Sequence, residues 1–126
     1  MKIKLIDARD LNLLYDSIKS AEMPISLAYK FNKLMNSVDK ELDFFQEKLN
    51  AILEKYAERD EQGNYVQLTP NNIKIQEDKM DECQKELNEL QSFEVEIPEI
   101  KFSLEELNCL EVTPQQLKSL MSFIED

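Results

Sequence analysis

Between Ala28 and Tyr56 an apolar residue returns at alternating steps of three and four: Ala28, Phe31, Met35, Val38, Leu42, Phe45, Leu49, Ile52 and Tyr56. Steps of three and four keep successive side chains on one stripe of a helix, so nine of them in a row describe a single long helical seam. Pro24, just before this run, suits the first turn of a helix, where its missing N–H costs nothing. The spacing therefore predicts a helix from Pro24 to about Glu58. At 1.5 Å per residue it would be roughly 50 Å long. Leu27, Leu34 and Leu53 flank the seam and make it wider than a two-stranded coiled coil requires, so at least two other elements should pack against it.

The rest of the chain supplies those elements. Ile3 and Leu5 alternate around Lys4, as in a short strand. Asp7 can cap a helix over about 8–21 that presents Leu11, Leu14, Tyr15 and Ile18. After the long helix, Asp60-Glu61-Gln62-Gly63-Asn64 holds the chain's one glycine and reads as a left-handed turn. Tyr65–Leu68 and Ile73–Ile75 flank the turn-rich tetrad Thr69-Pro70-Asn71-Asn72, a candidate hairpin. Met80, Cys83, Leu87 and Leu90 predict a helix over about 76–91, able to lie antiparallel on the long one, with Glu77, Asp78, Asp81, Glu82, Glu86 and Glu89 on its flank. Phe93, Val95 and Ile97 alternate with Glu94 and Glu96 as a strand, which could join Ile100-Lys101-Phe102 and the N-terminal segment in a small sheet. Ser103-x-x-Glu106 and Thr113-Pro114-x-Gln116 are capping boxes, announcing a short helix near 104–110 and a last one presenting Leu117, Leu120, Met121 and Ile124. The expected architecture is mainly α with some β: one helical domain over 1–126, its long central helix packed by shorter helices, with a small hairpin or a two- to three-stranded sheet.

Composition narrows the function. The chain has 126 residues, 42% hydrophobic and 33% charged, with no histidine. Without histidine, the commonest general base and metal ligand is missing, and serine–histidine, cysteine–histidine and histidine–zinc mechanisms are excluded. No P-loop, dinucleotide fingerprint or nucleophile elbow is present, and the only arginines are Arg9 and Arg59. The acidic turn near Gly63 lacks the alternating oxygen ligands and closing glutamate of a calcium loop. Cys83 and Cys109 stand far apart without a C-x-x-C, and read as reduced core residues. No enzyme activity, cofactor or metal is expected. Twenty-six acidic against fifteen basic side chains leave a net charge of −11, which repels a phosphate backbone, so direct nucleic-acid binding is not expected. No apolar run reaches membrane-spanning length, and the N-terminus does not resemble a signal peptide.

A protein partner is what remains, and the long helix carries the candidates. Phe44, beside Phe45, points about 100° away from the seam. Either another element covers it, or it is an aromatic contact for a partner. Lys40, Asp43 and Glu47, on other faces of the same helix, are its polar companions as candidate partner-binding residues.

MPISLAYKFNKLMNSVDKEL, LNAILEKYAERDEQGNYV and LEELNCLEVTPQQLKSLMSFIED together resemble a family of small uncharacterised proteins encoded by bacteriophages and prophages, mainly of Firmicutes. The shared elements are a proline-started, lysine-bearing helix, a Glu-Lys-Tyr followed by an acid-rich glycine turn, and a closing helix after threonine or serine and proline. The resemblance implies a phage origin and transfers no catalytic residue. On that basis the expected role is a non-enzymatic protein working by protein–protein contact, a minor virion component or assembly factor, found in the host cytoplasm or the virion. The alternative is an acidic, host-directed inhibitor that mimics nucleic acid in the groove of a defence nuclease. Helices enough to cover the seam point to a monomer or a weak homodimer.

Overall fold

A computed structural model of the protein describes residues 1–70 and 72–125. In chain order the elements are β1 (Lys2–Lys4), α1 (Leu5–Ile18), α2 (Ile25–Tyr56), β2 (Gln67–Thr69), β3 (Asn72–Ile73), a 3₁₀ turn (Glu77–Lys79), α3 (Met80–Ser92), β4 (Glu94–Glu96), β5 (Phe102–Ser103), α4 (Leu104–Leu107), α5 (Pro114–Lys118), a second 3₁₀ turn (Met121–Phe123) and β6 (Ile124–Glu125). Among the described residues the fold is mainly helical, with one long helix, shorter helices and three two-stranded sheets. The residues group into two compact units, Met1–Asp43 with Glu94–Asp126, and Phe44–Phe93.

In the first unit, α2 begins where its sequence allows: the Pro24 carbonyl accepts the first helical hydrogen bond, from Ala28 N–H at 3.0 Å. The stripe of Leu27, Phe31, Leu34, Met35 and Val38 is buried, and so are Leu5, Ala8, Leu11, Leu14 and Ile18 of α1. Those α1 positions explain a difference from the sequence reading, in which Asp7 caps a helix starting near residue 8. The helix begins at Leu5, with no side-chain cap, and Asp7 lies within its first turn. Starting three residues earlier puts Leu5 and Ala8 on the same buried stripe as Leu11, and burying Leu5 outweighs one side-chain cap.

Phe31 connects the layers of this unit. Its ring stacks on Phe102 at 4.8 Å between centroids and meets Tyr15 at 6.2 Å. β1 and β4 pair antiparallel, Ile3 opposite Val95, both buried. β5 pairs in parallel with β6 instead of joining that sheet. The closing helix is accordingly shorter than the spacing of Leu117, Leu120, Met121 and Ile124 suggests. It stops at Lys118, the chain tightens into a 3₁₀ turn, and Ile124 takes a strand position opposite Phe102. Leu120 and Phe123, three residues apart at this turn, are both buried.

Both capping boxes form. Ser103 Oγ accepts from Glu106 N–H at 3.1 Å while Glu106 Oε2 accepts from Ser103 N–H at 2.8 Å; Thr113 and Gln116 exchange the same two bonds at 3.1 and 2.9 Å. Glu106 also accepts both 2.8 and 2.9 Å bonds from Lys30 Nζ, which donates a third to the Lys101 carbonyl. One carboxylate thereby caps α4 and ties it to α2, and Lys30 with the Ser103 amide holds it below the usual carboxylate range.

In the second unit, the C-terminal part of α2 and the antiparallel α3 form a helical hairpin. Phe45, Tyr56, Cys83 and Leu90 are buried in it. The connection holds its own backbone together: Glu58 N–H donates to the Lys74 carbonyl, Lys74 N–H to Val66, and Val66 N–H to Glu58, at 2.7–2.9 Å. Three short extended segments close in a ring, reinforced by a Glu58–Lys74 ion pair at 3.1 Å. The predicted glycine turn is present, with Gly63 at φ +82° and Asp60 Oδ1 accepting from the Gln62 and Asn64 amides. The predicted hairpin pairs β2 with β3; Asn71, within its turn tetrad, lies outside the described residues.

Candidate functional site

The helical hairpin buries one stripe of each helix and leaves a second partly open. On α2 the open stripe is Phe44, Lys48, Ala51, Ile52 and Lys55; on α3 it is Glu86, Glu89 and Phe93, with the buried Leu90 at the floor between them. Both follow steps of three and four, so each is one continuous wall, and between them lies a groove of about 350 Å³. Phe44 is half-buried against Phe93, ring centroids 5.9 Å apart and planes tilted by 38°. Phe93 is 52% exposed. Other large apolar side chains are more open, Tyr29 at 66% among them; Phe93 differs in its contact with Phe44 at the mouth of an apolar groove.

Charge is divided between the walls, with α2 contributing lysines and α3 glutamates. Lys48 Nζ stands 5.6 Å from the centre of the Phe44 ring. Lys55 Nζ reaches Glu86 Oε1 at 3.1 Å and lies 5.0 Å from the centre of the Tyr56 ring. The Tyr56 hydroxyl and then the Lys55 ammonium hold the Glu86 carboxyl below its usual range, and Glu86 in return raises Lys55. Glu86 Oε2 is enclosed and makes no well-formed hydrogen bond of its own. Burial chiefly, and Glu86 secondly, raise the Tyr56 hydroxyl. Cys83 is buried nearby, and desolvation pushes its thiol up, so it is a poor nucleophile. Cys109 departs from the core reading: it is exposed beyond the end of α4, its Sγ 3.4 Å from the Glu106 carbonyl. Leu107, two positions earlier, is the side chain that is buried.

Of the candidate partner-binding residues, Phe44 alone lines this groove. Lys40 and Asp43 are exposed in the first unit, and Glu47 is exposed in the second, off the groove wall. The alternation with Val95 and Ile97 groups Phe93 with the strand that follows it. Continuing the Cys83, Leu87, Leu90 spacing by three residues reaches Phe93, and that signal would have placed it beside Phe44.

A larger cleft of about 960 Å³ lies in the first unit between α1 and α5, with Asp7 and Asp10 on one wall and Leu11, Leu14 and Phe123 among its lining. Its most convergent polar groups are already engaged: Gln116 Oε1 accepts from Thr113 N–H, and Gln116 Nε2 donates to Ser17 Oγ at 3.3 Å. Among the described residues no group of three His, Cys, Asp or Glu side chains is placed to hold a metal ion, and no helix is long and apolar enough to cross a membrane. The groove between α2 and α3 can thus receive a row of apolar side chains flanked by charge. No family model, curated protein or solved structure matches this chain.

Proposed function

We propose that this chain is a non-enzymatic, phage-encoded protein that works by protein–protein contact, as a minor virion component or assembly factor, and that the α2–α3 groove is its contact surface. The observation that carries the reading is the Phe44–Phe93 pair, an aromatic cluster only partly covered at the mouth of an apolar groove. Aromatic side chains buried on binding are frequent among the few residues that dominate the binding energy of protein interfaces. The phage assignment rests on the sequence resemblance.

Carboxylate placement favours this over the nucleic-acid mimic. A mimic needs unneutralised carboxylates on one face at phosphate-like spacing. Here the acidic side chains are spread along α1, α2, α3, α4 and the connections between them instead of lying on one face, and Glu58, Glu86 and Glu106 are each paired with a lysine from another segment. Affinity capture from phage-producing cells, read by mass spectrometry, tests the choice. Structural phage proteins retained by the chain are the expected result. A host nuclease retained instead would establish the inhibitor reading, and retention of neither would overturn both.

A further inference from the structure

The two walls of the groove are complementary to each other, and this selects an occupant. Phe44 of α2 meets Phe93 of α3. One turn further along each antiparallel helix stand Lys48 and Glu89, on opposite walls of the same groove. Both walls therefore carry an aromatic residue at the mouth and a charge one turn in, and the charges are of opposite sign. A surface with that property matches itself under a two-fold rotation. We infer that the groove takes a second copy of this chain, the two helical hairpins packing side by side as a four-helix bundle about an axis running along the groove.

That axis lays α2 of each copy against α3 of the other. Lys48 then faces Glu89 of the second copy, twice by symmetry, and the Phe44–Phe93 pairs meet as a cluster of four rings. An axis across the groove would instead set α2 on α2 and bring lysine to lysine, so the charges choose the first arrangement. Two helices alone form a single layer with one flank open, and a second pair completes the two-layer packing that buries it. The groove is about three helical turns long, which places the contact at the weak end of specific interfaces. The net charge of −11 per copy opposes association. At about 0.15 M salt, however, repulsion beyond roughly 8 Å is screened while the facing pairs remain.

The inference rests on the groove being the contact surface proposed above, where a second copy and a phage partner compete for the same residues, and charge exchange tests it separately. Sedimentation velocity of the full chain in 0.15 M salt, at concentrations up to about 1 mM, should show a reversible monomer–dimer equilibrium. Lys48→Glu and Glu89→Lys are both at exposed positions and should retain the native circular dichroism. Each alone should weaken the dimer by at least about tenfold, because both symmetric contacts become like-charged. Mixed one to one, the two variants should form a heterodimer of wild-type strength, since each contact again joins lysine to glutamate. A wild type that stays monomeric, or single variants that dimerise like the wild type, would overturn the inference. If the wild type is monomeric yet still retains a phage protein that Phe93→Ser loses, self-pairing is refuted and the contact surface stands.

Discussion

Glu106 is the side chain whose removal distinguishes most among the forces described here. Its carboxylate accepts from the Ser103 amide to close the capping box and takes two bonds from Lys30 Nζ. Glu106→Gln keeps an acceptor for the Ser103 amide and removes the charge; Glu106→Ala removes both. A sheltered charge-assisted bond contributes about 1.5–3 kcal/mol, but Lys30 and Glu106 retain 34% and 27% side-chain exposure. Solvent screening reduces the charge contribution to about 1 kcal/mol, and losing the cap adds about another 1 kcal/mol. Urea unfolding at pH 7, followed by circular dichroism, should show Glu106→Gln less stable than wild type by about 1 kcal/mol and Glu106→Ala by about 2 kcal/mol. The pH dependence has a definite sign. The folded-state pKa of Glu106 is lowered, so its stabilisation is complete above the unfolded value of about 4.3 and disappears as pH falls through the folded value. The gap between wild type and Glu106→Gln should close on acidification, while the gap to Glu106→Ala should persist in part. Equal stability of all three proteins at pH 7, or a wild-type-to-glutamine gap that survives strong acid, would refute this account of the node.

Phe102→Ala should cost about 3–5 kcal/mol in the same unfolding experiment, because Phe102 is 0% exposed and stacks on Phe31. Gly63→Ala should cost about 1–2 kcal/mol, read as a lower melting temperature; an added Cβ meets nothing within 4 Å, so the penalty comes only from φ +82°. In a thiol titration, Cys109 should react in the native protein and Cys83 only after unfolding, since Cys83 is buried and its thiol is raised.

Regular periodicity was the most legible part of this chain. The seam from Ala28 to Tyr56 and the capping boxes at Ser103 and Thr113 are set by side chains within a few residues of one another, and they formed as the spacing predicts. Elements whose ends depend on distant partners were less legible. α5 stops at Lys118 because Ile124 finds a strand partner at Phe102, a pairing with no local signal. α1 starts at Leu5 because the unit's interior admits that side chain. At the site, the helical angle of 100° between neighbours set Phe44 off the seam, but its contact with Phe93 spans almost fifty residues. The opposing charges of Lys48 and Glu89 acquire meaning only when α2 and α3 lie antiparallel.

The most direct test of the contact surface compares the wild-type chain with Phe93→Ser in capture from phage-producing cells, alongside thermal unfolding of each. Phe93 is 52% exposed, so the substitution removes only part of a phenyl group's burial, about 1–2 kcal/mol, and the variant should remain folded at 25 °C. The account predicts that wild type retains phage structural proteins and that folded Phe93→Ser does not. Undiminished retention by the folded variant would contradict it.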